Sequence, residues 1–246
     1  MKEKELLYFK KRQKQNDLKF FNRFPSFDFS GKTILDFGCG HGSLSIDLAL
    51  RGAYKVLGVD IDPKRIQFAK ENLAVNYAHL NDVVEFKCVN VELIQNNYFD
   101  YIFSYAVFEH IINLDKSLSE LKNKLKIGGK IITGFGPLYN SPWGDHNLSP
   151  IKLPWFHLII GKKKLINNIN KKRKKKLKHI YDAGLNGYSL KKILSILYNT
   201  NGLSVINLRT NVSYSPLAYL FKLLAIMPFL KEFFTFNIYC ILKRTH

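Results

Sequence analysis

Up to residue 135, short apolar runs alternate with stretches whose apolar residues recur at helical spacing. Residues 33–37 (TILDF), 54–60 (YKVLGVD), 83–89 (VVEFKCV), 98–106 (YFDYIFSYA) and 130–135 (KIITGF) are rich in β-branched and aromatic side chains and read as strands. Between them, 42–51, 63–77 and 113–126 read as helices. Leu114, Leu118, Leu121 and Leu125 form one apolar stripe on the last of these, with Asn113 as its N-cap. Pro63 stands in a first helical turn, where a missing N–H costs nothing, and Gly128-Gly129 turns the chain into the fifth strand. Such alternation predicts a parallel sheet with helices on both faces, which binds ligands outside the carboxyl ends of its strands.

On either side the rhythm changes. Residues 2–23 predict a helix, with Leu6, Leu7, Phe9, Leu18, Phe20 and Phe21 set among lysines. Residues 136–161 place four prolines, both tryptophans and two histidines in a loop-rich stretch, of a kind that usually binds something. Residues 188–200 read as an amphipathic helix ended by Asn201-Gly202, and 203–212 and 235–243 as the last strands. Between those strands, 216–230 (PLAYLFKLLAIMPFL) is too short for a membrane span of about 20 residues. It is expected as a helix joining the last strands or lining an apolar pocket, with a membrane-interface position as the alternative.

The chemistry concentrates at the end of the first strand. Asp36 leads a D-x-G-x-G-x-G pattern through Gly38, Gly40 and Gly42, with Cys39 between. Glycine permits a sharp turn and close approach to a ligand, and the N–H groups opening the next helix favour negative charge. The dinucleotide fingerprint would put its third glycine at position 43, which is Ser43, so a nicotinamide cofactor is disfavoured. Asp60 ends the second strand, about 20 residues beyond the turn, where a carboxylate can accept both ribose hydroxyls.

Four motifs, LDFGCGHG (35–42), GVDID (58–62), FDYIFSYAVFEHI (99–111) and LKIGGKIIT (125–133), resemble those of class I S-adenosylmethionine-dependent methyltransferases. The resemblance is closest to the ubiquinone- and menaquinone-biosynthesis type acting on small molecules. It covers 30–136 in order and, more loosely, the tail after 188. It implies a Rossmann-like α/β fold: a doubly wound, seven-stranded, mostly parallel sheet with an antiparallel last strand and a helical and loop insertion after strand five. The implied cofactor is S-adenosylmethionine. Gly38, Cys39, Gly40 and Gly42 would surround its methionine portion, with Asp36 orienting the turn and reaching the amino group through water. Asp60 would bind ribose and Ile61 pack on adenine. Asn90 and Val91 would hold the adenine edge, and Ser104 and Tyr105 stand beside the transferred methyl. Two positions depart from the pattern: Ile127 replaces a turn proline, and Asn90 stands where an acid is common.

The resemblance also divides the chain. Residues 1–29 would form a helix over the cofactor, with Tyr8 near the sulfonium, and 30–136 the binding core. Residues 137–187 would form the acceptor loop and a basic insertion, and 188–246 the last helices and strands of the same domain. The acceptor would be a small molecule, a lipid precursor or a glycan. Asp145 and His146 are the first candidates for proton transfer, since a carboxylate can orient an imidazole and raise its basicity. His110, in the E-H pair, and Tyr139 follow.

Composition narrows the alternatives. A length of 246 residues suits one α/β domain with an added subdomain, and 46% hydrophobic with 14% aromatic residues excludes global disorder. Three cysteines without CxxC spacing indicate neither a disulfide framework nor a metal site, and Cys39 is expected to pack. Of the net charge of +19, residues 162–178 contribute ten basic side chains and no acid. This Lys162–Lys178 run predicts either an anionic partner (membrane headgroups, phosphorylated substrate or RNA) or a solvated helix face or mobile loop. An RNA methyltransferase and a non-catalytic partner subunit of the same fold are therefore the competing readings. No Asn/Asp-Pro-Pro-Tyr tetrapeptide supports the first. The charged N-terminus lacks a signal peptide's apolar core, so the expected location is cytoplasmic, with peripheral membrane attachment as an option.

Overall fold

The computed structural model describes residues 3–171, 173–174, 176–212 and 216–246. After α1 (Glu3–Lys19) come β1 (Thr33–Phe37), α2 (Ser43–Leu50), β2 (Lys55–Asp60), α3 (Pro63–Asn76), β3 (Val84–Cys88), β4 (Phe99–Tyr105), α4 (Leu114–Lys124) and β5 (Leu125–Phe135). The chain continues through α5 (Phe156–Lys171), α6 (Leu190–Asn199), β6 (Leu203–Thr210), α7 (Pro216–Leu224), α8 (Pro228–Phe234) and β7 (Ile238–Arg244). The sheet order is β3-β2-β1-β4-β5-β7-β6. β1 to β5 pair in parallel, and β7 lies antiparallel between β5 and β6. This is the seven-stranded Rossmann-like sheet expected. The strand order reverses between β1 and β4, so the crevice of such sheets opens there.

Burial follows the sequence pattern. The four leucines of the 114–125 stripe are fully buried, in a core shared with α6. The opposite face packs Phe20, Phe86 and Phe103 with α1, α2 and α3. Asn16 and Gln13 of α1 donate to the two carboxylate oxygens of Asp47 at 2.6 and 3.0 Å, which ties α1 to α2 beside the glycine turn.

Several boundaries differ from expectation. β5 begins at Leu125: Phe99 pairs with Leu125 and Tyr101 with Lys130, so Gly128-Gly129 is a bulge inside the strand rather than a turn before it. Asn113 occupies the N-cap of α4 without a side-chain capping bond. The loop-rich stretch gives way to α5, which is interrupted at Gly161 (φ +76°). There Leu165, Ile166 and Ile169 are buried while Lys162, Lys163 and Lys164 are exposed. The first part of the lysine run is thus a solvated helix face; Lys172 and Lys175 lie outside the described residues. The expected helix at 216–230 is a pair, α7 and α8, with Phe221 buried and most other apolar side chains exposed. Among the described residues, no helix is long and apolar enough to cross a membrane.

Candidate active site

β1 delivers the chain into a turn held by backbone bonds. Gly38 and Cys39 N–H both donate to Val59 O (2.8 and 2.9 Å), and Gly42 N–H donates to Cys39 O (2.9 Å). Gly38, Gly40 and Gly42 have φ of +75°, +54° and +81°. A Cβ on Gly42 would lie 2.5 Å from Phe86 Cζ, and one on Gly38 2.4 Å from Val107 Cγ2. At Gly40 a Cβ would meet nothing within 4 Å. Two glycines are therefore required by packing, while the third leaves open space. Cys39 is buried, as expected of a packing residue.

Asp60, at the end of β2, faces that turn. Its Oδ2 accepts Gly40 N–H and its Oδ1 accepts Asp62 N–H, both at 2.9 Å. Each carboxylate oxygen keeps a lone pair, which is what a vicinal diol needs. Next to it, Ile61 is 84% exposed, an uncovered apolar side chain suited to a planar ring. Across the crevice Val91 is buried and opens a short 3-10 turn, where its N–H has no partner within the turn. Asn90 caps that turn: its Oδ1 accepts Glu92 N–H at 3.3 Å and keeps a second lone pair. Tyr8 of α1 stacks on His41 in the glycine turn, ring centroids 5.0 Å apart. These features fit a nucleoside with an intact ribose diol.

Asp36 is buried, and its Oδ2 accepts the Ser45 hydroxyl at 2.6 Å, which locks α2 to β1. Burial pushes its carboxyl up from about 4 to about 7. The raised value means the folded state holds a proton that the unfolded chain has already released. This contribution to stability is therefore complete below about pH 4 and lost as pH rises through about 7. Asp36→Asn is expected to flatten the fall in stability across that range. Urea midpoints of both proteins from acid to neutral pH measure it, and parallel curves would show that Asp36 is not the group responsible.

Two expectations need correction. Ser104 is fully buried, with its hydroxyl donating to Phe37 O at 3.0 Å, so it ties β4 to β1 and does not line the crevice. Asp145 does not serve His146: its carboxylate accepts Ser149 N–H (2.7 Å) and Asn147 N–H (3.3 Å) in its own loop. The His146 Nε2 lies 3.1 Å from Pro137 O; a carbonyl only accepts, so Nε2 carries the proton. Burial lowers the His146 pKa, which keeps the ring neutral. His110 stacks edge-on against it (5.1 Å), with Nδ1 on Gly184 O. Beside them Glu109 is buried, one oxygen accepting Gly136 N–H at 3.2 Å and the other without a hydrogen-bond partner among the described residues, and burial raises its pKa. His146, Glu109 and Tyr139 line a small pocket of their own.

A larger cavity of about 510 Å³ lies at the ends of β4 and β5. Tyr105 and Ala106, Phe135 and Gly136 border it from those strands, and Trp143, Phe221, Phe236 and Tyr239 give it apolar walls. Arg12, Lys19 and Arg23 supply its cationic side. The Arg12 guanidinium sits over the Tyr105 ring, 4.8 Å from its centroid. Tyr105 borders this cavity from the end of β4, and the helix expected over 216–230, with an apolar pocket among its expected roles, contributes Leu217, Ala218 and Phe221, whereas Arg12 was not among the residues expected at the site. Of the 137–187 insertion, Trp143 alone among the described residues borders this cavity.

Residues 28–140 match the family model described as "Methyltransferase domain". A curated relative, the ribosomal protein L11 methyltransferase of Fusobacterium nucleatum, is 39% identical over 99 residues, which are 40% of this chain and 31% of the relative. The chain spans less than a third of the length of the curated relatives it matches. Among solved structures, an S-adenosylmethionine-dependent methyltransferase from Mesorhizobium loti is similar over 91% of this chain and 95% of its own, with TM-score 0.59 and 17% identity. A geranyl diphosphate methyltransferase in complex with S-adenosylmethionine gives TM-score 0.61 and 16% identity, over 94% of this chain and 85% of its own. At such identities the likeness is one of fold. The sheet order and the glycine turn coincide with that match, and residues 28–140 are similar to a methyltransferase domain on a Rossmann-like fold shared with S-adenosylmethionine-dependent methyltransferases.

Proposed function

We propose that this chain transfers a methyl group from S-adenosylmethionine to a small, largely apolar acceptor that carries an anionic group. The observation behind this reading is the cavity at the ends of β4 and β5, apolar along most of its wall and cationic at Arg12, Lys19 and Arg23, whose lining residue Ala106 adjoins Val107, the side chain nearest to Gly38. Gly38, Gly40, Asp60, Ile61 and Val91 would hold the cofactor, which supplies a methyl on a sulfonium with a good leaving group. The protein aligns the acceptor atom and keeps water away, and orientation of this kind can supply much of the acceleration. The described residues lining the cavity include neither carboxylate nor imidazole. An acceptor that arrives ionised needs no base there, and nearby cations favour its charged form. His146, Asp145 and His110 take no part in proton transfer in this reading; His146 lines the neighbouring pocket, His110 packs edge-on against it, and Asp145 holds its own loop through Asn147 and Ser149 N–H.

The Fusobacterium relative's match covers 40% of this chain, so its name carries no acceptor over to it. Mass spectrometry of cofactor retained on the purified protein, followed by labelled-methyl assays on long-chain carboxylates and phenols, tests the reading. Ala218→Trp, which fills the cavity from α7, is expected to cut transfer at least about tenfold while S-adenosylmethionine affinity stays unchanged. Undiminished transfer in that variant, or transfer to RNA alone, would overturn the acceptor assignment.

A further inference from the structure

Charge is distributed unevenly along this chain. From His146 onward there are 18 lysines and arginines against two acids, Asp182 and Glu232. Both acids are turned to backbone amides. Asp182 Oδ2 accepts the Lys178 and His179 N–H groups at 2.7 and 2.9 Å. Glu232 accepts Leu190 N–H at 2.7 Å and Lys191 N–H at 3.4 Å, capping α6, and also the Asn140 amide at 2.8 Å. The outer face of α7 and α8 therefore presents no acid, only Lys222 and Lys231.

That face is also strongly apolar. Tyr219, Leu220 and Leu223 fall at spacings of three and four on one side of α7, and Ile226, Met227 and Phe229 continue it into α8. Leu223 is 63%, Ile226 74% and Phe229 72% exposed. The loop held against α8 by the Trp155 indole N–H on Phe233 O (3.3 Å) adds exposed Ile151, Lys152 and Leu153. Exposed apolar side chains grouped on one helix pair with Lys152, Lys222 and Lys231 among them match an amphipathic segment lying in a headgroup layer. A protein partner would need acids to meet these lysines and an apolar groove for the ridge; an anionic bilayer supplies both at once.

We propose that α7 and α8 dock the protein on a bilayer containing anionic lipids. The lysines meet the headgroups and the α7 stripe enters the acyl boundary. The docking itself does not depend on the acceptor reading. Its consequence does: the opposite side of α7, through Leu217, Ala218 and Phe221, borders the large cavity, so an apolar acceptor dissolved in the bilayer would enter beneath the docked helix.

Sedimentation with vesicles of phosphatidylcholine, with and without phosphatidylglycerol, tests the proposal on the full chain. The wild type is expected to bind the anionic vesicles at least about tenfold more tightly. Leu220→Ser/Leu223→Ser/Phe229→Ser, all exposed positions, should lose about tenfold or more of that affinity. Lys222→Glu/Lys231→Glu should abolish the preference for anionic lipid. Calorimetry with S-adenosylmethionine runs alongside: a wild type that binds vesicles but not cofactor fells the methyl-transfer reading and leaves docking intact. Vesicle affinity undiminished in the apolar triple variant would overturn docking, since charge elsewhere would then account for it. Self-association or RNA binding without vesicle binding would overturn it as well.

Discussion

Asp60→Ala is expected to weaken S-adenosylmethionine binding by roughly a hundredfold, measured by calorimetry. Two effects add. In the proposed reading the carboxylate's free lone pairs would accept the ribose diol, and hydrogen bonds to a charged group contribute about 1.5–3 kcal/mol each. The same oxygens fix Gly40 N–H and Asp62 N–H at 2.9 Å, so their loss also loosens the turn before any ligand arrives. Asp60→Asn separates the two contributions. It keeps one acceptor oxygen and loses the charge, and a loss of about tenfold is expected. Thermal melting distinguishes weakened binding from unfolding. Wild-type affinity in Asp60→Ala would remove Asp60 from the site.

Gly42→Ala is expected to destabilise the fold by about 2–4 kcal/mol, read from the urea midpoint. Its φ of +81° disfavours any L side chain, and the new methyl would sit 2.5 Å from Phe86 Cζ. Phe86 is buried on β3 and also packs over Gly58, so its ring must shift within the core to admit the methyl. Gly40→Ala is the informative contrast. Its φ of +54° carries the same backbone strain, about 1–2 kcal/mol, but its methyl meets nothing within 4 Å. Stability should therefore fall less than in Gly42→Ala, while cofactor affinity falls more, because the methyl enters space left for the ligand. The reverse ranking would mean that the turn does not face the cofactor.

The parts of this site legible in the sequence are the backbone-dominated ones. A glycine turn between an apolar run and an amphipathic helix has few folds available to it, and Asp60 falls at a strand end whose position follows from alternation. The leucines at 114, 118, 121 and 125 announced their buried face in the same way. Ser104 was misplaced because a one-residue ambiguity at a strand end sends a side chain to the other face. Asp145 was misread because its neighbour in sequence, His146, is not its partner; the Ser149 amide, four residues on, is. α5 was hidden by Gly161, which breaks its period, and by prolines and tryptophans that mask it.

The order of amino acids along the chain thus sufficed for the sheet, the glycine turn and the carboxylate that faces it, since each depends on contacts within one strand–helix unit or between adjacent strands. The large cavity arises differently. Its lining comes from Arg12, Tyr105, Trp143, Phe221 and Tyr239, five positions brought together only when α1, the ends of β4 and β5, α7 and β7 pack. Periodicity reports which face of an element is buried; it carries no information on which distant element covers that face, or on how much space is left between them.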